Sequence, residues 1–163
     1  MGGEEFEFGE INELKIIFDK DKKIKLSDLS AYLYNLKVVY TSLYKNPKSV
    51  DKFAPWDYNK ISQKRANVVQ TLFDFSISYD INWTFQARNS FFNSNLKNND
   101  LYIEKIEKSS PLAITVEGIL LLLTVAIVIS GGKIKYNPET GSFEAEMPPI
   151  AEGLKKLKEL YKS

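Results

Sequence analysis

The stretch Glu117–Gly132, read as EGILLLLTVAIVISGG, contains the longest uncharged run in this chain. Nine of the thirteen residues from Gly118 to Ser130 are Leu, Ile or Val. Strands are usually shorter than this, so the run predicts a helix. Glu117 suits the N-terminal end of that helix, where a negative charge complements the helix dipole. The two glycines after Ser130 suit a left-handed C-cap.

A helix that is apolar on every side must be covered on every side. As a helix, these thirteen residues span about 20 Å, which is less than the roughly 30 Å of hydrocarbon in a bilayer. Extending the run to residues 112–130 reaches a spanning length but places Glu117 inside the membrane, at a cost of about 2–3 kcal/mol. The stretch therefore predicts a helix buried in a core or subunit interface. Insertion of residues 112–130 in a bilayer is the alternative.

Composition bounds the rest of the chain. Its 163 residues predict a single domain, 1–163, and 22 basic against 21 acidic residues leave a net charge of +1. This balance gives no reason to expect nucleic acid as a partner. The chain has no cysteine and no histidine, so disulfides, thiol nucleophiles, imidazole bases and the usual zinc sites are excluded. The acidic N-terminal residues do not resemble a secretory signal, so we expect a cytoplasmic protein, with membrane association as the alternative.

The rest of the chain contains both the two-residue alternation typical of strands and the three-to-four-residue spacing typical of helices. Alternating apolar residues predict strands around ELKIIFD (13–19) and over residues 112–116. Another extended piece begins with Tyr102, Ile103 and Ile106, and NPETG (137–141) predicts a hairpin turn. Leucine and tyrosine spacing predicts a long amphipathic helix that begins at Ser27-Asp28, and Pro148-Pro149 opens a lysine-rich C-terminal helix. We therefore predict an α+β fold: a mainly antiparallel sheet with a long amphipathic helix, a central strongly apolar helix and a C-terminal amphipathic helix.

Three further segments complete this prediction. Residues 47–60, with two prolines, and the asparagine-rich residues 86–100 are typical of loops. Between them, aromatic and aliphatic residues occupy every second position of 73–85, which predicts a long strand with one aromatic face. Basic residues are not interleaved with these aromatics, so this face does not favour nucleic-acid binding.

Known chemical motifs are missing from the sequence. We find no phosphate-binding glycine loop, dinucleotide fingerprint, nucleophile elbow or calcium loop. A carboxylate pair such as Asp74 with Asp80 is the remaining route to catalysis, and nothing in its spacing selects it. We therefore predict no catalytic residue, no cofactor and no metal site, and an enzyme is the least favoured of three hypotheses.

The sequence instead favours a non-enzymatic protein-interaction or assembly module that self-associates through the apolar helix. Its expected partner is a second copy of itself or another protein. The alternative is a small membrane-associated protein in which residues 112–130 insert in the bilayer. The candidate interaction residues are large and apolar: Leu120, Leu122, Leu123, Ile127, Trp56, Leu154 and Leu157.

Overall fold

The computed structural model describes residues 11–46, 48, 68–70, 84–108 and 111–161. Within them lie five strands: β1 (Ile11–Phe18), β2 (Tyr102–Glu107), β3 (Leu112–Ile119), β4 (Lys133–Asn137) and β5 (Ser142–Glu146). The α-helices of eight or more residues are α1 (Leu26–Lys45), α2 (Phe85–Asn93), α3 (Leu120–Ile129) and α4 (Ile150–Lys158), and single 3-10 turns cover Lys97–Asn99 and Glu159–Tyr161. The α+β class predicted from the sequence is confirmed.

The strands form one mixed sheet in the order β2-β3-β1-β5-β4. Strand β1 is central; it pairs antiparallel with β3 and parallel with β5, while the β2–β3 and β4–β5 pairs are antiparallel. Turn chemistry in the sequence specifies the β4–β5 hairpin, where Gly141 takes the left-handed conformation with a φ of 70°. The parallel pairing of β5 with β1 depends on contacts between distant parts of the chain, which local patterns do not reveal.

Alternation along β1 separates the two faces of the sheet. Leu14, Ile16 and Phe18 are fully buried on one face, because they pack against the helices. Glu13 and Lys15 point to the other face, where neighbouring strands also carry charged residues. The β1 pattern predicted from ELKIIFD is thus confirmed.

The strongly apolar helix α3 lies between the sheet and two other helices. It contacts β1, β3 and β4 on the sheet side and α1 and α4 on its other sides. All ten of its residues are buried. The chain therefore covers this helix on every side with its own elements.

The start of α3 differs from the sequence prediction. Glu117, Gly118 and Ile119 belong to β3, where they pair with Glu13, Asn12 and Ile11 of β1. These backbone pairings keep the chain extended, so the helix starts three residues later than the sequence predicts. Glu117 consequently lies on the outer face of the sheet and not at the N-terminus of a helix.

Helix α3 ends where the two glycines, Gly131 and Gly132, predict. Gly131 has a φ of 87°, its N–H donates to the Val128 carbonyl at 2.9 Å, and the Gly132 N–H donates to the Ile127 carbonyl at 3.0 Å. This pair of bonds is a Schellman motif, the left-handed cap that the two glycines predict.

One segment predicted as a loop begins with a helix, and other predicted segments lie outside the described residues. Helix α2 occupies Phe85–Asn93, at the start of the loop predicted for residues 86–100. The Thr84 hydroxyl caps this helix by accepting a hydrogen bond from the Ala87 N–H at 3.2 Å. Several predictions concern residues that the structure does not describe: Trp56, the pair Asp74 and Asp80, most of the loop at 47–60, and residues 73–83 of the strand predicted for 73–85.

Candidate interaction surface

The structure places most of the predicted interaction residues in the core. Leu120, Leu122, Leu123 and Ile127 of α3 are at most 1% exposed, and Leu157 of α4 is fully buried. Leu154 is half-buried on α4. The buried side chains among them pack in the chain's own core, so only residues that the fold leaves exposed can form an interaction surface.

Among the described residues, three of the eight large apolar side chains that are exposed lie on β2. Tyr102, Ile103 and Ile106 are 47%, 54% and 49% exposed. Among the described strands, β2 is the last on its side of the sheet and pairs only with β3. An edge strand presents backbone N–H and C=O groups that can pair with another chain. Within the part of the chain that the structure describes, this edge therefore combines backbone that pairs on one side only with exposed apolar side chains.

A β-bulge determines which way the β2 side chains point. Ile103 lies opposite Val116 and Lys105 opposite Thr115, so Glu104 is the extra residue between them. Because of this extra residue, Ile103 and Ile106 lie on the same, core-facing side of the sheet although they are three positions apart. Beyond β3 the helices no longer cover this side completely.

An apolar groove continues this surface toward the helices. It has a volume of about 330 Å³ and lies between α1, α2, β2 and β3. Aliphatic and aromatic side chains make up most of its wall. The lining residues include Leu33, Tyr34, Leu36, Phe92, Leu101, Ile103 and Val116.

Polar contacts fix the rim of the groove. The Lys37 ammonium lies 2.6 Å from the Asp100 carboxylate and 6.0 Å from the centre of the Phe92 ring. The Tyr34 hydroxyl donates to the Asn89 side-chain oxygen at 2.6 Å, and the Tyr34 and Phe92 rings are 4.8 Å apart. The contacts to Asn89 and Phe92 attach α2 to α1, and the Lys37–Asp100 pair attaches α1 to the turn before β2.

The charge state of Asp100 follows from the same contacts. Burial by itself raises the pKa of Asp100, but the hydrogen bonds from Lys37 and from the Leu101 and Leu96 N–H groups outweigh it and hold that pKa below its ordinary value. Asp100 is therefore ionised at neutral pH, beside the Lys37 side chain.

The outer face of the sheet carries an acidic cluster. Carboxylate oxygens of Glu13, Glu104 and Glu117, from three adjacent strands, lie within 4.8 Å of one another. Glu13 and Glu104 are exposed and Glu117 is half-buried. Carboxylates are ligands that hard cations prefer, but exposed acidic groups commonly gather without an ion, so we assign no metal here. The cluster is instead a local excess of negative charge beside the β2 edge.

Sequence reasoning did not identify this surface. The segment YIEKIE predicts an extended piece, but its two isoleucines are three positions apart, which in a regular strand places them on opposite faces. The bulge that brings them together depends on pairing with β3.

The alternative of membrane insertion requires a long apolar helix. Among the described residues, no helix has both the length and the hydropathy needed to cross a bilayer. Of the stretch 112–130, residues 112–119 form β3, and the ten residues of α3 span only about 15 Å. The continuous helix expected for insertion of residues 112–130 does not form, because β3 pairs with β1 and β2.

Comparison with known proteins adds no assignment: no protein-family model, no curated protein and no solved structure matches the chain. The class that the fold defines is an α+β protein whose described strands form a five-stranded mixed sheet.

Proposed function

We propose that this chain is a non-enzymatic protein-interaction module that binds through the apolar face at β2. The observation that carries this proposal is the exposure of Ile103 and Ile106 on an edge strand beside the groove. Full burial of an exposed isoleucine contributes about 1.5–3 kcal/mol, and because Ile103 and Ile106 are each about half exposed, a partner that covers them gains about half of that from each.

The backbone of β2 adds a second source of affinity. A strand from another chain can pair with an exposed sheet edge, where main-chain hydrogen bonds give affinity and alternate side chains give specificity. In this proposal the partner is a second copy of this chain or another protein. The surface differs from the apolar helix that the sequence favours, since α3 is covered by the chain itself.

In-cell photo-crosslinking tests the proposal without assuming a partner. A benzophenone amino acid replaces Ile106, and the matched control carries it at Leu26, which is 77% exposed on α1 and does not line the groove. We expect adducts of defined mass from position 106, identified by mass spectrometry, that are absent from position 26. If both positions give the same adducts, or neither gives any, the proposed function is wrong.

A further inference from the structure

We infer that the partner of β2 is the β2 strand of a second copy, paired antiparallel about a two-fold axis between Glu104 and Lys105. This inference rests on the proposed function and names its partner. It predicts a dimer in which two five-stranded sheets join edge to edge. The axis runs perpendicular to the sheet, so the core-facing sides of both copies lie on the same side.

The sequence of β2 is complementary to itself in this arrangement. In YIEKIE, a two-fold axis at the centre places Ile103 opposite the partner's Ile106 and Glu104 opposite the partner's Lys105. Each contact occurs twice because of the symmetry. Apolar side chains thus meet apolar side chains, and opposite charges meet across the strands, which are the pairs that stabilise antiparallel sheets.

Because of the bulge, the two residues of each proposed pair lie on the same face of the sheet. Ile103 and Ile106 lie opposite Val116 and Ile114 on the core-facing side, while Lys105 lies opposite Thr115 on the outer side. Glu104 also lies on the outer side, with its carboxylate in the cluster with Glu13. All the proposed pairs therefore join residues on the same face.

Neighbouring registers lack this agreement. Moving one strand by one residue places Glu104 or Lys105 opposite its own copy, which is a like-charge pair. Moving it by two residues, so that Glu104 lies opposite the partner's Glu107, also creates a like-charge pair and places Lys105 opposite an isoleucine of the other face. Moving it the opposite way places Ile103 opposite the partner's Glu104. Register in a sheet is specified where such a shift mismatches the faces, so the central axis is selected.

The acidic cluster gives an electrostatic reason for the second copy. Three carboxylates within 4.8 Å repel one another in the monomer. The pairing brings the partner's Lys105 ammonium to Glu104, at the edge of this cluster. In the monomer, Lys105 is 66% exposed and lies 3.7 Å from Glu107, so its side chain is at the surface and within reach of a partner.

Edge strands are commonly protected from such pairing by bulges and by lysines. Here the bulge lies on the symmetry axis, so the two bulges face each other, and the lysine finds a carboxylate opposite it. The features that discourage pairing with an unrelated strand therefore favour pairing with an identical one.

Reversing the charge of Glu104 or Lys105, the two residues beside the axis, tests the proposed dimer. Glu104→Lys alone places two lysine–lysine pairs across the axis, and Lys105→Glu alone places two glutamate–glutamate pairs. We expect sedimentation equilibrium of the full chain to give a dimer of twice the 18.7 kDa monomer, with the Kd raised about tenfold or more in each variant. An equimolar mixture of the two variants restores both opposite-charge pairs, so it should dimerise as tightly as the unchanged chain.

Matched controls separate a local effect from a general one. Glu139→Lys reverses the same charge in the exposed β4–β5 turn and should leave the Kd unchanged. Circular dichroism checks that both variants are folded. Because the chain has no cysteine, Glu104→Cys mixed with Lys105→Cys should also give one specific disulfide between copies, which fixes the register.

Two results would overturn the inference. One is a chain that stays monomeric at every concentration, and the other is a mixture that dimerises no better than either variant alone. If position 106 then still gives specific adducts with a different protein, the proposed function stands and only the identity of the partner is wrong.

Discussion

The hydroxyl of Tyr40 accepts a hydrogen bond from the backbone N–H of Ile119 at 2.8 Å, at the point where β3 becomes α3. The same hydroxyl donates to the Asn99 carbonyl at 2.6 Å. One buried side chain of α1 therefore joins the strand–helix junction to the turn before β2. Gly118 permits this approach, because a Cβ there would lie 3.0 Å from the Tyr40 hydroxyl and 2.6 Å from a Leu101 methyl group.

Replacing Tyr40 by Phe should destabilise the fold. The substitution removes the acceptor of a buried N–H and the donor to Asn99, and leaving a buried polar group unsatisfied costs about 1–3 kcal/mol. Urea denaturation measures this change in the free energy of unfolding. Tyr102→Phe is the control, since its exposed hydroxyl donates to the Lys97 carbonyl and its loss should cost much less. Equal losses in the two variants would contradict the role of Tyr40.

Truncating Leu122 tests whether α3 is part of the monomer core. Leu122 is fully buried, so Leu122→Ala should lower the free energy of unfolding by about 2–5 kcal/mol. Leu26→Ala, at an exposed position of α1, should change it by less than about 0.5 kcal/mol. A stable, folded Leu122→Ala monomer with an undiminished denaturation midpoint would show that α3 is not packed as the structure has it.

Asp21 caps a helix from the other end of the chain. Its carboxylate accepts a hydrogen bond from the Ile150 N–H at 2.8 Å, at the first residue of α4, where Pro149 offers no side-chain cap. Asp21→Ala should therefore cost about 0.5–2 kcal/mol, the usual effect of losing an N-cap. Asp19→Ala, in the same exposed turn, is the matched control. Thermal denaturation of both variants checks the prediction, which fails if their midpoints coincide.

The Lys37–Asp100 pair should make stability depend on acidity. The pKa of Asp100 is lowered in the folded chain, so the unfolded chain binds its proton first as the pH falls. The stabilisation is present above the ordinary carboxyl pKa and is lost as the pH falls through the lower, folded-state value. Denaturation midpoints measured from neutral to acid pH should fall less steeply for Asp100→Asn than for the unchanged chain. Parallel slopes would refute this assignment.

Local patterns predicted much of the fold. The alternation of Leu14 with Ile16, the spacing from Leu29 to Leu43 and the turn at NPETG each depend on neighbours in sequence, and each predicted the element that forms there. The helix at Phe85–Asn93 was missed because its sequence is polar and rich in asparagine, and its contacts with α1, such as Tyr34 to Asn89, come from a distant segment.

The candidate site was less predictable than the fold. Apolar residues in the sequence drew attention to Leu122 and its neighbours, but sequence alone does not distinguish a helix covered by its own chain from one covered by a partner. The exposure of Ile103 and Ile106 depends on where the helices end over the sheet and on a bulge that pairing with β3 produces.

By itself, the sequence determined the α+β class, the Schellman end of α3 at Gly131 and the lack of cysteine and histidine chemistry, because these depend on composition, periodicity and local backbone preference. Only the tertiary structure decided where β3 gives way to α3, that β5 lies parallel to β1, and that β2 is left at the edge with its isoleucines exposed. These features depend on hydrogen bonds and packing between segments far apart in the chain, and local preference carries no information about such contacts.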